Sequence, residues 1–210
     1  MASQVFDKIL QDAVRKGVVP NKSRESVTWF RRRAQGVPTT AVSPSRMLSD
    51  ADSSRFENRV ELGSMYMFMY DPKTKADLPY YDRFPLIFPV GKAPNGFYGL
   101  NMHYLHPRLR AVLFDRLTED FTHSSPNGRD HIIARYKVLK AASKYRYFEP
   151  CFKHYLNRQV KSRFIYIAPA EWNMALFLPT ERFEKATKQE VWKDTIQQLQ
   201  GGAGGNAAQP

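Results

Sequence analysis

Apolar residues recur at two different periods along this chain, and the change of period divides it. At residues 3–17, Phe6, Ile9, Leu10, Ala13 and Val14 share one helical face, and Gly17 stops the helix. A second helix is predicted at 23–35. Ser23 is the N-cap candidate, with Ser26 as an alternative start, and Val27, Trp29 and Phe30 precede Arg31, Arg32 and Arg33. Residues 36–55 carry no period and are dominated by Pro, Ser and Thr, the composition of a linker or extended arm. An arm lying on a neighbouring subunit would account for its length.

From 62 to 105 the period shortens. Met65, Met67 and Met69 alternate with Tyr66, Phe68 and Tyr70, so both faces of that strand are apolar, as in a strand covered on both sides. Pro85 and Pro89 cannot donate to a ladder, which makes the second strand an edge strand or one broken by bulges. Asn95-Gly96 marks a hairpin turn. Three such runs predict a small curled antiparallel sheet, a barrel-like meander. Its aromatic residues fit buried scaffold better than an exposed stacking platform.

Helical spacing returns afterwards. It predicts helices at 107–117 with Pro107 in the first turn, at 129–146 with Ile132, Ile133, Tyr136, Leu139 and Ala142 inward, and at 148–160 with Phe152, Tyr155 and Leu156 inward. A short strand is predicted at 162–169, a short helix at 170–176, and a final amphipathic helix at 182–199. The tail at 201–210 is low-complexity and reads as flexible. The fold class is α+β: N-terminal helices at 1–35, an arm at 36–55, a core domain at 56–200 in which the sheet precedes a helical region, and the tail.

Charge gives the first indication of function. The 210 residues carry a formal net charge of +12, which attracts polyanions such as nucleic acid or acidic protein. Ten cations lie between 129 and 163: Arg129, Arg135, Lys137, Lys140, Lys144, Arg146, Lys153, Arg158, Lys161 and Arg163. They are opposed by Asp130 and Glu149. Lys137, Lys140 and Lys144 fall on one helical face, where they form a row of ammonium groups suited to phosphates. Tyr145 and Tyr147 are interleaved and could stack on bases. That pattern reads as DNA-backbone binding without base readout, with an acidic subunit as the competing partner. Arg31, Arg32 and Arg33 form a second cluster, although cations at a helix C-terminus are also what the helix dipole favours.

Catalytic patterns are weak. A metal-dependent nuclease needs clustered carboxylates with a lysine, and Glu181, Glu184 and Lys185 are the nearest imitation. Asp82 lacks a partner acid. Cys151 with His154 reads as a buried thiol and a surface imidazole. His103 and His106 read as structural hydrogen-bonding residues rather than metal ligands. No Gly-rich nucleotide loop occurs, and no cofactor is expected. One cysteine excludes an internal disulfide, and no run of 18 apolar residues exists to span a membrane.

Five stretches carry a resemblance. They are Leu-Pro-Tyr-Tyr-Asp-Arg-Phe-Pro-Leu-Ile-Phe-Pro at 78–89, Gly-Phe-Tyr-Gly-Leu-Asn-Met-His-Tyr-Leu at 96–105, Lys-Tyr-Arg-Tyr-Phe-Glu-Pro-Cys at 144–151, Gln-Val-Lys-Ser-Arg-Phe at 159–164, and Glu-Trp-Asn-Met-Ala-Leu-Phe-Leu-Pro-Thr-Glu-Arg-Phe-Glu-Lys-Ala at 171–186. Together they resemble a virion or assembly protein of T-even-like contractile-tailed bacteriophages, over roughly 60–190. The resemblance implies a non-enzymatic structural protein of the head-completion type, made in the host cytoplasm and placed near the neck. It would protect the end of packaged double-stranded DNA within a symmetric assembly of other phage structural proteins. A baseplate or hub subunit is the competing place in the same virion.

Overall fold

The computed structural model describes residues 4–19, 23–119 and 146–201. Its strands are β1 (Phe56–Glu57), β2 (Met65–Met67), β3 (Tyr81–Asp82), β4 (Leu86–Ala93), β5 (Gly96–Asn101), β6 (Phe152–Leu156), β7 (Phe164–Ile167) and β8 (Phe183–Glu184). Six of them form one antiparallel sheet in the order β1-β7-β2-β4-β5-β6, and β3 pairs with β8 in a separate ribbon. The helices are α1 (Gln4–Arg15), α2 (Arg24–Gln35), α3 (Pro44–Ser49), α4 (Pro107–Glu119), α5 (Trp172–Ala175) and α6 (Lys188–Gly201). The fold is α+β as the pattern predicts, with a sheet that is open rather than closed into a barrel.

The alternation in β2 and β4 produces two cores. Met65, Met67, Leu86 and Phe88 join Phe6, Ile9, Phe30 and Trp172 in the main core. Tyr66, Phe68 and Ile87 point the other way, into a second cluster with Tyr70, Phe97, Tyr155 and Phe164. Rings in that cluster meet edge to face, Phe68 with Phe164 at 5.0 Å and with Tyr155 at 5.4 Å, the arrangement the ring quadrupole favours. The aromatic stretch is thus scaffold on both of its faces. Pro89 lies in β4 between β2 and β5 and is accommodated by a bulge. The register passes from Pro89↔Gly99 to Gly91↔Tyr98, leaving Val90 unpaired.

Several elements differ from expectation. Residues 39–55 are not an open arm. Ser43 caps α3 by accepting the Arg46 N–H, Pro44 occupies the first turn, and Val42 and Met47 are buried in the main core. Arg55 then grips Glu171 with two hydrogen bonds of 2.6 and 2.7 Å. Short apolar anchors separated by turn residues carry no period, so the segment looked structureless. Residues 148–160 are not a helix. A 3-10 turn at Arg146–Cys151 leads into β6, which is paired along β5, with Phe97 stacked on Tyr155 at 5.5 Å and Tyr98 on Phe152 at 5.0 Å. Cross-strand aromatic pairing outweighs local helix preference here. The last helix starts at Lys188 rather than 182. Lys185 takes a left-handed φ of 68°, and Thr187 and Glu190 form a capping box by exchanging backbone N–H bonds at 2.7 and 3.3 Å. Val14 faces solvent, 77% exposed, although it falls on the apolar side of the helical pattern. The predicted helix at 129–146 lies outside the described residues up to 145, and of the tail all but Gly201 lies outside them.

The β5–β6 pairing depends on one close approach. A Cβ added to Gly96 would lie 1.9 Å from the Tyr155 carbonyl oxygen, and backbone cannot swing away as a side-chain tip can. Gly96→Ala is therefore expected to cost about 1–3 kcal/mol, the range for overpacking. Urea unfolding of the variant beside wild type measures this, and an unchanged midpoint would show that β6 can shift freely.

Candidate nucleic-acid interface

A cleft of about 790 Å³ opens over one end of the second aromatic cluster. One wall is the turn at 58–62 between β1 and β2. The other is the turn at 157–163 between β6 and β7, and the β4–β5 hairpin closes the end. Val60, Val160, Phe97 and Phe164 form its floor, while Arg59, Lys92, Lys161 and Arg163 stand around it with Glu57 as the single acid.

None of these four cations pairs with a carboxylate among the described residues. Lys161 Nζ donates to the Arg158 carbonyl at 3.2 Å. Arg163 donates to the Phe56 carbonyl at 2.7 Å, and its guanidinium lies 5.0 Å from the Phe56 ring centre. These contacts orient both heads and leave their charge uncompensated. Glu57 is engaged elsewhere and accepts the Tyr66 hydroxyl at 2.7 Å. Burial, followed by this bond, pushes the Tyr66 phenol well above its usual range, so it remains a donor. Phe97 and Phe164 are 6% and 7% exposed. With so little ring face available, the cleft can present charge to phosphates but little stacking surface to bases.

The cations expected from sequence are thus divided. Lys161 and Arg163 are brought together, and Arg158 adjoins them on the exposed Asn157–Gln159 turn. Lys153 lies elsewhere, in a tyrosine-lined pocket. Arg129, Arg135, Lys137, Lys140 and Lys144 lie outside the described residues, and of Arg146 only the backbone is described. Arg31 is occupied structurally: it binds Asp115 at 2.5 Å and Asn173 at 3.2 Å. Arg33 pairs with Asp12 at 3.3 Å, and Arg32 is exposed on α2. Arg59 and Lys92 join the cleft although the sequence did not mark them. Arg59 stands alone in the turn after β1 and Lys92 near the end of β4, and only the sheet topology makes them neighbours of 161 and 163.

A second polar constellation lies inside the protein. Asp82 Oδ2 meets His103 Nδ1 at 2.7 Å, and His103 Nε2 meets Thr180 Oγ1 at 3.0 Å. The order hydroxyl, imidazole, carboxylate is that of a nucleophilic triad. Here, however, the His103 and Asp82 side chains are 0% and 1% exposed and Thr180 is fully buried, so substrate has no path to the hydroxyl. Asp82 also accepts the N–H groups of Phe84 and Arg182 and the Asn101 amide, at 3.0–3.2 Å. This is a structural hub joining the β3–β8 ribbon to the sheet, and it gives His103 the hydrogen-bonding role expected of it.

The nuclease reading gains no geometry. Glu181 pairs with Lys188 at 2.8 Å and Glu184 with Arg83 at 3.3 Å, while Lys185 donates to the carbonyls of Ala76 and Leu78. Among the described residues no group of three or more His, Cys, Asp or Glu is placed to hold a metal. Burial pushes the Cys151 thiol up to about 12, and His154 is exposed and bound to the Pro94 carbonyl at 3.1 Å. Neither activates the other. No described helix is long and apolar enough to cross a membrane.

The family model described as phage T4 terminal DNA protecting protein matches residues 6–196. No curated protein and no solved structure matches the chain.

Proposed function

Because the chain belongs to the family of the phage T4 terminal DNA protecting protein, we propose that it is a virion protein that binds and shields the ends of packaged double-stranded DNA. It makes its phosphate contacts with the cleft formed by Arg59, Lys92, Lys161 and Arg163. The observation that carries this reading is the convergence of four cations from two turns and the end of β4, none of them paired with a carboxylate among the described residues. Their heads meet backbone phosphates, the floor offers little to bases, and binding is therefore indifferent to sequence. The chain acts as a cap rather than an enzyme. A DNA end held at the head-neck junction is the place this activity suits, alongside other phage structural proteins in a symmetric assembly.

Exonuclease digestion of a linear duplex, with and without the protein, tests the proposal. Protection of the ends is expected near 50 mM salt. It should weaken on the order of a hundredfold in affinity by 200 mM, as four phosphate contacts require. A duplex closed by hairpins at both ends should compete poorly. Absence of protection at low salt, or equal competition by the closed duplex, overturns the reading.

A further inference from the structure

A second cavity, of about 310 Å³, lies apart from the basic cleft, with Asp82 and Asn101 of the buried hub in its wall. Tyr70, Tyr80, Tyr81, Tyr104 and Tyr155 line it, and Lys153 reaches into it from β6. Lys153 has no carboxylate within ion-pair distance among the described residues. Its Nζ lies 4.2 Å from the centre of the Tyr104 ring, a cation–π contact that holds the ammonium without neutralising it. Burial pulls this ammonium below the usual lysine range, and the charge of Asp194, which lies beyond ion-pair distance, offsets only part of that.

The acids nearby are already committed. Asp82 is spent on the buried hub, and Asp194 accepts hydrogen bonds from the Tyr80 hydroxyl and from Gln198. Tyr70 accepts the Leu156 N–H at 3.2 Å, which fixes its ring against the cavity. The lining therefore combines the partly exposed rings of Tyr80 and Tyr81 with two lysines, Lys73 and Lys153, neither of them in an ion pair among the described residues, while the Asp82 carboxylate in its wall is held by the hub. The volume is at the small end of ligand sites, roughly 300–1,000 Å³, which suits one nucleotide and excludes a duplex.

We infer that this pocket receives a single terminal nucleotide of a DNA strand, with the Lys153 ammonium on its terminal phosphate and the partly exposed Tyr80 and Tyr81 rings against its base and sugar. The inference rests on the DNA-end reading and specifies it. The basic cleft would hold backbone, and the pocket would recognise that the strand stops. A phosphate from a free mononucleotide has the same chemistry, so the test must separate the two sources.

Fluorescence anisotropy with two linear duplexes, one 5′-phosphorylated and one 5′-hydroxyl, gives the readout. The wild-type chain is expected to prefer the phosphorylated end roughly tenfold, the value of one charge-assisted contact. Lys153→Gln is expected to remove the preference while leaving the salt-dependent affinity for the hydroxyl end. A free deoxynucleoside monophosphate should compete only at much higher concentration. Equal competition would assign the pocket to free nucleotides and overturn the DNA-end assignment.

A second measurement guards against misfolding of the variant. Reductive methylation of wild-type Lys153, followed by mass spectrometry, should be slowed by the phosphorylated duplex and not by the hydroxyl one. Equal binding of both duplexes, with Lys153 methylated at the same rate in each, overturns the inference and leaves the DNA-end reading intact. Loss of binding to either duplex by the wild-type chain would instead sink the parent reading.

Discussion

Asp82→Ala lowers folding stability by about 3–5 kcal/mol, the cost of removing one partner from a buried charged network. The carboxylate accepts four hydrogen bonds, from Phe84, Arg182, Asn101 and His103. Alanine leaves all four donors facing a void that cannot repay their desolvation. Asp82→Asn should cost less, because its carbonyl still accepts from Phe84 and Arg182. The imidazole can then turn its Nδ1 lone pair toward the new amide and donate from Nε2 to Thr180. Urea unfolding with matched m-values ranks the three proteins. A loss below about 1 kcal/mol for the alanine variant would mean that the hub does not hold the ribbon to the sheet.

The same network sets an acid limit. Burial raises the Asp82 pKa, but His103, Asn101 and the Phe84 N–H outweigh it, so the carboxyl sits below its ordinary value. Glu181 is held low in the same way, with burial opposed by His103, Arg110 and Lys188. A folded-state pKa below the unfolded one means that stabilisation is full above the ordinary carboxylate range. It is lost as pH falls through the folded values. Wild type should weaken on acidification, and Asp82→Ala should flatten that decline.

The fold was legible where period and burial coincide. The methionine–tyrosine alternation at 65–70 could be read because both faces of β2 are buried, so each residue's role follows from its parity. The N-cap at Ser23 was legible because its hydrogen bond to Ser26 is local. β6 was not, because five residues that tolerate either helix or strand are decided by Phe97 and Tyr98 on another strand. The hub was hidden for a similar reason. Asp82, His103 and Thr180 span nearly 100 positions and share no spacing rule. The basic surface was half legible: Lys161 and Arg163 stand out in a cationic run, whereas Arg59 and Lys92 acquire meaning only when β1, β4 and β7 enter one sheet.

That shared cleft leads to the second large effect. Replacing Arg59, Lys92, Lys161 and Arg163 together by glutamine should reduce affinity for a linear duplex on the order of a thousandfold near 50 mM salt. The dependence of log affinity on log salt should become shallower by about four, one for each phosphate contact removed. Folding should change little, since none of the four pairs with a carboxylate among the described residues and the contacts of Lys161 and Arg163 are to backbone carbonyls near the surface. Exchanging Arg32 and Arg33 on α2 for glutamine supplies the comparison. These are exposed cations outside the cleft, one of them already paired with Asp12, and their loss should move the slope by well under one per residue. The slope is the deciding quantity because it counts counter-ions released rather than overall charge. A general loss of basicity would weaken binding in both variants, whereas a localised phosphate track removes its full slope in the first and almost none in the second. An unchanged slope in the fourfold variant would place the DNA on another surface of the protein.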